Sequence, residues 1–123
     1  MALQGRLVRP FLPTKDFDLS RRFYEALGFE LYFVDEVAIF GSDSGGFILQ
    51  RYYQPEWAGN SMLQLVVDDL DAWWTQVQDL DLPGRFGVPE PKPPTMQSWG
   101  RRVAFIIDPA GVLWHVLEHA GGT

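Results

Sequence analysis

The stretch SMLQLVVDDLDAWWTQVQDL, residues 61–80, reads as a strand running directly into a capped helix. Met62 to Val67 is a short apolar run ending in β-branched residues, the composition of a strand. Asp69 stands where a helix N-cap belongs, because its short carboxylate can accept the first unpaired backbone N–H groups. Behind it Leu70, Trp73 (or Trp74), Val77 and Leu80 recur at helical spacing and make one apolar face. Neighbouring helix positions point in different directions, so one of the two tryptophans is expected to face a sheet and the other not.

The same order occurs earlier in the chain. Leu7 to Leu12 reads as a strand, interrupted by Pro10 in a way that suits an edge or an exchanged strand. Asp16 and Asp18 are N-cap candidates for LSRRFYEALGF, whose Leu19, Phe23 and Leu27 fall on one stripe, with Gly28 as the stop. Phe29 to Val34, Val37 to Gly41 and Phe47 to Tyr53 follow as strands, with SDSGG as a turn. In the second half PGRFGVPEPKPPTMQSWG, residues 83–100, reads as a long loop, and Arg102 to Ile107 and Val112 to Leu117 read as strands joined by the turn DPAG. Asp16 corresponds to Asp69, and Gly46 before FILQ to Gly111 before VLWH. Each half is therefore β-α-β-β-β, with modules of about 1–56 and 57–123. Neither is long enough to stand alone. The expected fold is α+β, one domain over residues 1–123, with the two modules sharing a curved mixed sheet, a cleft on one side and helices on the outer face.

Composition narrows the function classes. A chain of 123 residues, 46% hydrophobic, has a real core to bury. It has no cysteine, so neither a disulfide framework nor a thiolate metal site is available. No apolar run approaches the ~18 residues of a membrane span, and MALQGRLVRPFLP lacks the apolar core of a secretory signal, so a cytoplasmic protein without a membrane partner is expected. The net charge of -6 disfavours nucleic acid and favours cationic ligands, although acidity also serves plain solubility. Aromatic residues make up 15% of the chain, five of them Trp, enough for a core and for the walls of a small-molecule pocket.

Taken together, DFDLSRRFYEALGFE, GGFILQRY, SMLQLVVDDLDAWW and DPAGVLWHVLE resemble the glyoxalase/bleomycin-resistance/dioxygenase (vicinal oxygen chelate) superfamily over nearly the whole chain. QSWGRRVAFIIDPAGVLWHV and NSMLQLVVDDLD are similar to the bleomycin resistance proteins within it. Enzymes of that superfamily hold a metal with four strand residues, usually His and Glu, two from each module. The resemblance carries those positions onto Arg9, Gln50, Met62 and His115, and the spacing from Arg9 to Met62 equals that from Asp16 to Asp69. Arg is always protonated, Met is a soft ligand, Gln is neutral and weak, and only His115 is competent. His119 shares its strand face but lies roughly 13 Å away at ~3.3 Å per residue, too far to bind the same ion. No metal and no other cofactor is therefore expected.

Strand alternation then names cleft walls. Gln50 brings Ile48 and Tyr52, Met62 brings Gln64 and Val66, His115 brings Leu113 and Leu117, and Arg9 brings Leu7 and Phe11. The aliphatic members also make sense as plain core. Tyr52, Gln64 and His115, if buried, need polar partners, from the protein or from a ligand. The resemblance implies that Trp99, at the end of the Pro-rich loop, stacks on a flat drug; it also makes sense as a residue pinning that loop to the sheet. Phe33, Asp35 and Phe40 are similar to drug-lining positions, and Asp35 with Glu36 offers acidic groups for a cation, or simply a solvated turn. Trp57 closes the other lip or packs a linker. Ser61 and Ser98 lack a nucleophile's setting. The resemblance also implies a homodimer whose N-terminal strand is exchanged in the bleomycin-resistance subgroup. The expected function is metal-independent binding of a small cationic, aromatic drug of bleomycin type, an antibiotic-resistance role. The alternative is a metal-dependent lyase, isomerase or dioxygenase of the same superfamily.

Overall fold

Asp16 and Asp69 act as the matched caps their spacing implies. Asp16 Oδ1 accepts from Leu19 N at 3.1 Å, and Asp69 Oδ1 accepts from Ala72 N at 3.0 Å. The computed structural model describes Leu3 and residues 5–42 and 45–119. The first half contains β1 (Phe11–Pro13), α1 (Phe17–Ala26), β2 (Leu31–Val34), β3 (Ala38–Ser42) and β4 (Gly45–Gln50). A short helix, α2 (Pro55–Asn60), leads to the second half. There β5 (Met62–Val67), α3 (Leu70–Leu80), α4 (Leu82–Phe86), β6 (Lys92–Met96), β7 (Arg102–Ile107) and β8 (Leu113–Glu118) follow. None of these helices is long and apolar enough to cross a membrane.

The α+β repeat forms two four-stranded sheets, ordered β1-β4-β3-β2 and β5-β8-β7-β6. Each has one parallel pair, β1 with β4 and β5 with β8, and is otherwise antiparallel. The register sets Phe11 opposite Ile48 and Met62 opposite Leu113. Phe11, rather than Arg9, is thus the counterpart of Met62, because the first half takes a shorter path from strand to helix cap. Leu7 to Arg9 are not strand either; the ladder reaches back only to Pro10, whose carbonyl accepts from Ile48 N at 2.9 Å.

Several expectations from the sequence need correction here. The Pro-rich stretch is not all loop. Asp81, in the left-handed region at φ 51°, caps α4 by accepting from Gly84 N at 3.2 Å, and a Cβ at Gly84 would collide with that carboxylate. Lys92–Met96 then forms the edge strand β6, where missing proline N–H groups are tolerated; its register slips between Lys92 and Thr95. Trp57 lies in α2, not in a plain linker. Trp73 and Trp74 are both half-buried against the core, because α4 and the segment around Glu90 and Pro91 cover the flank of α3 that Trp74 occupies.

One core runs through both halves, with Tyr24 of α1 at its centre. The Tyr24 ring packs against Phe47 and Trp114, at centroid distances of 4.8 and 5.7 Å. Its hydroxyl donates to Asp108 Oδ2 at 2.6 Å and accepts from Trp114 Nε1 at 2.9 Å. Asp108 Oδ1 in turn accepts from Ala110 N and Val112 N, both at 2.9 Å. The DPAG turn is closed by Gly111 N donating to the Asp108 carbonyl at 3.0 Å, with Gly111 at φ 102°, a conformation that favours glycine. Burial pushes the Asp108 carboxyl above the usual carboxylate range, against the pull of the hydrogen bonds from Tyr24 and the turn backbone. Burial, then the nearby Asp108 charge, raises the Tyr24 phenol well above its ordinary value. Asp108 therefore fastens the first helix to the last hairpin.

Candidate functional site

Opposite the helices, the outer face of the second sheet is ordered by its registers. Across β5, β8 and β7 they align three rows: Met62–Leu113–Ile107, Gln64–His115–Phe105 and Val66–Leu117–Val103. The intervening residues Trp114, Val116, Ala104 and Ile106 are buried in the core. Met62 is 66% exposed and Gln64 is open to solvent, whereas Leu117 and Val103 share this face but are buried. In the first sheet the equivalent row is Phe11–Ile48–Ile39–Phe33. Phe33 is 49% exposed.

The expected site residues are distributed unevenly over this frame. Met62, Gln64 and His115 share one face of the second sheet. The His115 ring meets the Phe105 ring edge-on at 4.9 Å, and its Nε2 is buried without a hydrogen-bond partner among the described residues. Arg9 is half-buried before β1; its guanidinium lies 5.8 Å from the centre of the Tyr32 ring, and its Nε is likewise buried and unpartnered. Gln50 closes β4, where its backbone carbonyl accepts from Thr14 Oγ1 at 2.7 Å. Tyr52 lies past the end of β4, so it does not continue that strand's face; it is half-exposed with its ring 5.9 Å from Trp57. Asp35 is exposed in the β2–β3 turn, with its amide donating to the Val37 carbonyl at 2.8 Å. Trp99 is 59% exposed in the turn between β6 and β7 that Gln97 N closes by donating to the Arg101 carbonyl at 2.8 Å. No other ring packs on Trp99 among the described residues.

Phe40 is a correction. It is 0% exposed, pairs with Phe47 and stacks on that ring at 5.3 Å, on the helix side of the sheet. A register irregularity in β2 between Leu31 and Phe33 sets Phe33 opposite Ile39, so Ile39 takes the outward place expected for Phe40. Phe105, Ile107 and Lys92 were not legible as site residues. With Pro89, Glu90 and Leu113 they line a hollow of about 360 Å³ on the outer face. The signal for Phe105 was present: a hairpin closed by DPAG sets it opposite His115, so the two must share a face.

Of the four positions that the resemblance assigns to a metal, Gln50, Met62 and His115 keep matching places in the two sheets, while the register gives the fourth to Phe11 rather than Arg9. A phenyl ring, a neutral amide, a thioether and one imidazole do not suit a hard divalent ion, and Arg9, a permanent cation, would not improve the set. Among the described residues no group of three or more His, Cys, Asp or Glu side chains is placed to hold one. What this face offers instead is exposed aromatic and aliphatic surface with a few polar atoms, the usual make-up of a small-molecule site.

Residues 6–116 match the model of the Glyoxalase/Bleomycin resistance protein/Dioxygenase superfamily. A bleomycin resistance protein of Klebsiella pneumoniae is 30% identical over 89% of this chain and 90% of its own length. Among solved structures, a bleomycin-binding protein in complex with bleomycin superposes with a TM-score of 0.76 at 28% identity, over 91% of this chain and 97% of that one. A bleomycin resistance determinant encoded on the transposon Tn5 superposes with a TM-score of 0.74 at 27% identity, over 92% and 97%.

Proposed function

The chain belongs to the glyoxalase/bleomycin resistance protein/dioxygenase superfamily, and from that premise we propose that it is a metal-independent binding protein for an antibiotic of bleomycin type. The ligand is cationic and in part aromatic. It is sequestered on the outer sheet faces by Trp99, Phe33, Met62, Gln64 and His115, with Arg9, Gln50, Tyr52 and Asp35 at the margins. One observation carries the reading. At the places that correspond to a superfamily metal site, this chain has Phe11, Gln50, Met62 and His115, and around them the sheets leave apolar and aromatic side chains open. The complex of a 28% identical protein with bleomycin supports the ligand class, and the net charge of -6 supports a cation.

The working form is a homodimer. Phe11, Phe33, Met62 and Val66 are large apolar residues exposed on the outer faces of a single chain, which a second copy is suited to cover. Leu3 and Val8, exposed ahead of β1, support exchange of that N-terminal segment between the two copies.

Calorimetric titration with metal-free bleomycin, before and after dialysis of the protein against a chelator, tests the proposal. Saturable binding unchanged by the chelator is expected. No binding by a folded protein contradicts the ligand class, and binding lost with chelation contradicts metal independence.

A further inference from the structure

The helix side of the molecule holds a hollow whose chemistry differs from that of the outer sheet faces. Phe86 of α4 is buried against Phe23 of α1, the rings meeting edge-on at 5.5 Å, and this contact sets the two helices side by side. Between them lies a hollow of about 520 Å³, lined by Arg22, Glu25 and Ala26 of α1 and by Arg85 and Phe86 of α4. Its volume falls within the ~300–1,000 Å³ usual for ligand sites.

The two arginines are short of partners. The chain has 16 acidic residues against 10 basic ones, so carboxylates are in surplus. Among the described residues, none of them forms an ion pair with Arg22 or Arg85. Glu25, the carboxylate in the wall, is taken by Arg21, whose Nη1 lies 2.5 Å from its Oε2. That pair is neutral as a unit and leaves two guanidinium charges on the hollow. Arg85 is held in place without being neutralised. Its guanidinium carbon lies 5.0 Å from the centre of the Phe86 ring, and its Nη1 donates to the Leu80 carbonyl at 3.5 Å. A guanidinium has several N–H donors in a planar fork, so both residues keep donors for a further acceptor.

This arrangement discriminates among anions. A planar carboxylate is matched by one guanidinium, fork to fork. Two guanidiniums reaching one hollow from different helices are better met by a tetrahedral phosphate, whose oxygens point in several directions and which carries about two negative charges at neutral pH. Ala26 and Phe86 add an apolar wall. We infer that this hollow binds a small phosphate monoester, its phosphate between Arg22 and Arg85 and its organic part along Ala26 and Phe86. The net charge of -6 disfavours nucleic acid as the source of the phosphate and favours a small molecule. The site is independent of the antibiotic reading, because it shares no residue with the outer sheet faces.

The test uses the full chain with phenyl phosphate as the probe, and inorganic phosphate and benzoate as counterparts at equal ionic strength. The arginine Nε–H signals and the Ala26 methyl signal are followed by NMR. Phenyl phosphate is expected to shift Arg22, Arg85 and Ala26 saturably and to bind about fivefold more tightly than benzoate. Inorganic phosphate is expected to move both arginines more weakly and to leave Ala26 still. Arg22→Gln and Arg85→Gln, at exposed positions where Gln suits a helix, are each expected to weaken phenyl phosphate about fivefold or more. Arg6→Gln removes an equal charge outside the hollow and is expected to leave that affinity unchanged. No shift at Arg22 and Arg85, or benzoate or inorganic phosphate bound as tightly as the ester, overturns the inference. So does an Arg6→Gln variant weakened as much as the other two, which assigns the binding to diffuse charge attraction.

Discussion

Trp114 and His115 are consecutive residues of β8, and they live in opposite regimes. Trp114 points into the core, where its Nε1–H donates to the Tyr24 hydroxyl at 2.9 Å and Asp108 completes the chain of hydrogen bonds. His115 points outward, where its Nε2 is just as removed from water and has no partner among the described residues. A strand gives each face to alternate residues, so one segment serves both purposes without compromise. The inner face is close to complete: the polar atoms of Tyr24, Asp108 and Trp114 are paired and its rings interlock, with the buried Ser20 hydroxyl left unpartnered among the described residues. The outer face is incomplete, with open aromatic surface and unused hydrogen-bonding capacity. Incompleteness on that face is what a binding function requires, and its cost is carried by the closed network behind it.

If the division is real, substitutions should sort cleanly by face. Phe40→Ala has the largest expected effect on stability, a loss of about 3–5 kcal/mol, because it empties a site in the interlocked aromatic core. Urea unfolding measures it. A small loss there, together with a specific loss of ligand affinity, would return Phe40 to the binding face. Tyr24→Phe comes next, at about 2 kcal/mol, since it leaves Asp108 Oδ2 and Trp114 Nε1 buried without their shared partner.

Asp108 sharpens the comparison through pH. Its folded carboxyl titrates above the unfolded one, so over that interval the native state binds the extra proton. The stability it contributes is whole below the unfolded value, about 4, and is lost as pH rises through the raised folded value. Asp108→Asn has no such titration. The stability advantage of the wild type over Asp108→Asn should therefore be largest in acid and shrink toward neutral pH. A parallel pair of stability–pH curves contradicts the assignment.

Trp99→Ala has the smallest expected energetic effect, about 1.4 kcal/mol, and only on binding. An indole that is 59% exposed contributes little to the fold, while losing its face to a flat or cationic ligand costs affinity roughly tenfold. Unchanged bleomycin affinity in this variant removes Trp99 from the site.

The two faces were also unequally legible in the sequence. The inner face announces itself through local chemistry: Asp16 and Asp69 as caps, the helical stripe of Leu19, Phe23 and Leu27, the DPAG turn. The outer face depends on register, which is non-local. Phe40 and Ile39 are neighbours, and only the irregularity in β2 decides which of them faces outward. The equivalence of Arg9 and Met62 failed for a similar reason, because helix caps can be aligned by spacing while strand pairing is set independently. Prolines hid β6, since proline argues against a strand everywhere except at an edge. Phe105 was missed although the hairpin implied it.

The five tryptophans give the most direct measurement of whether this division of labour holds. Each indole N–H yields its own signal in a nitrogen–proton correlation spectrum, so Trp99 in the exposed turn between β6 and β7 and Trp114 in the core can be followed together while metal-free bleomycin is added. The expected result is a saturable shift of the Trp99 indole with that of Trp114 unmoved. A shift at Trp114 with Trp99 silent, or no shift at either, contradicts the account.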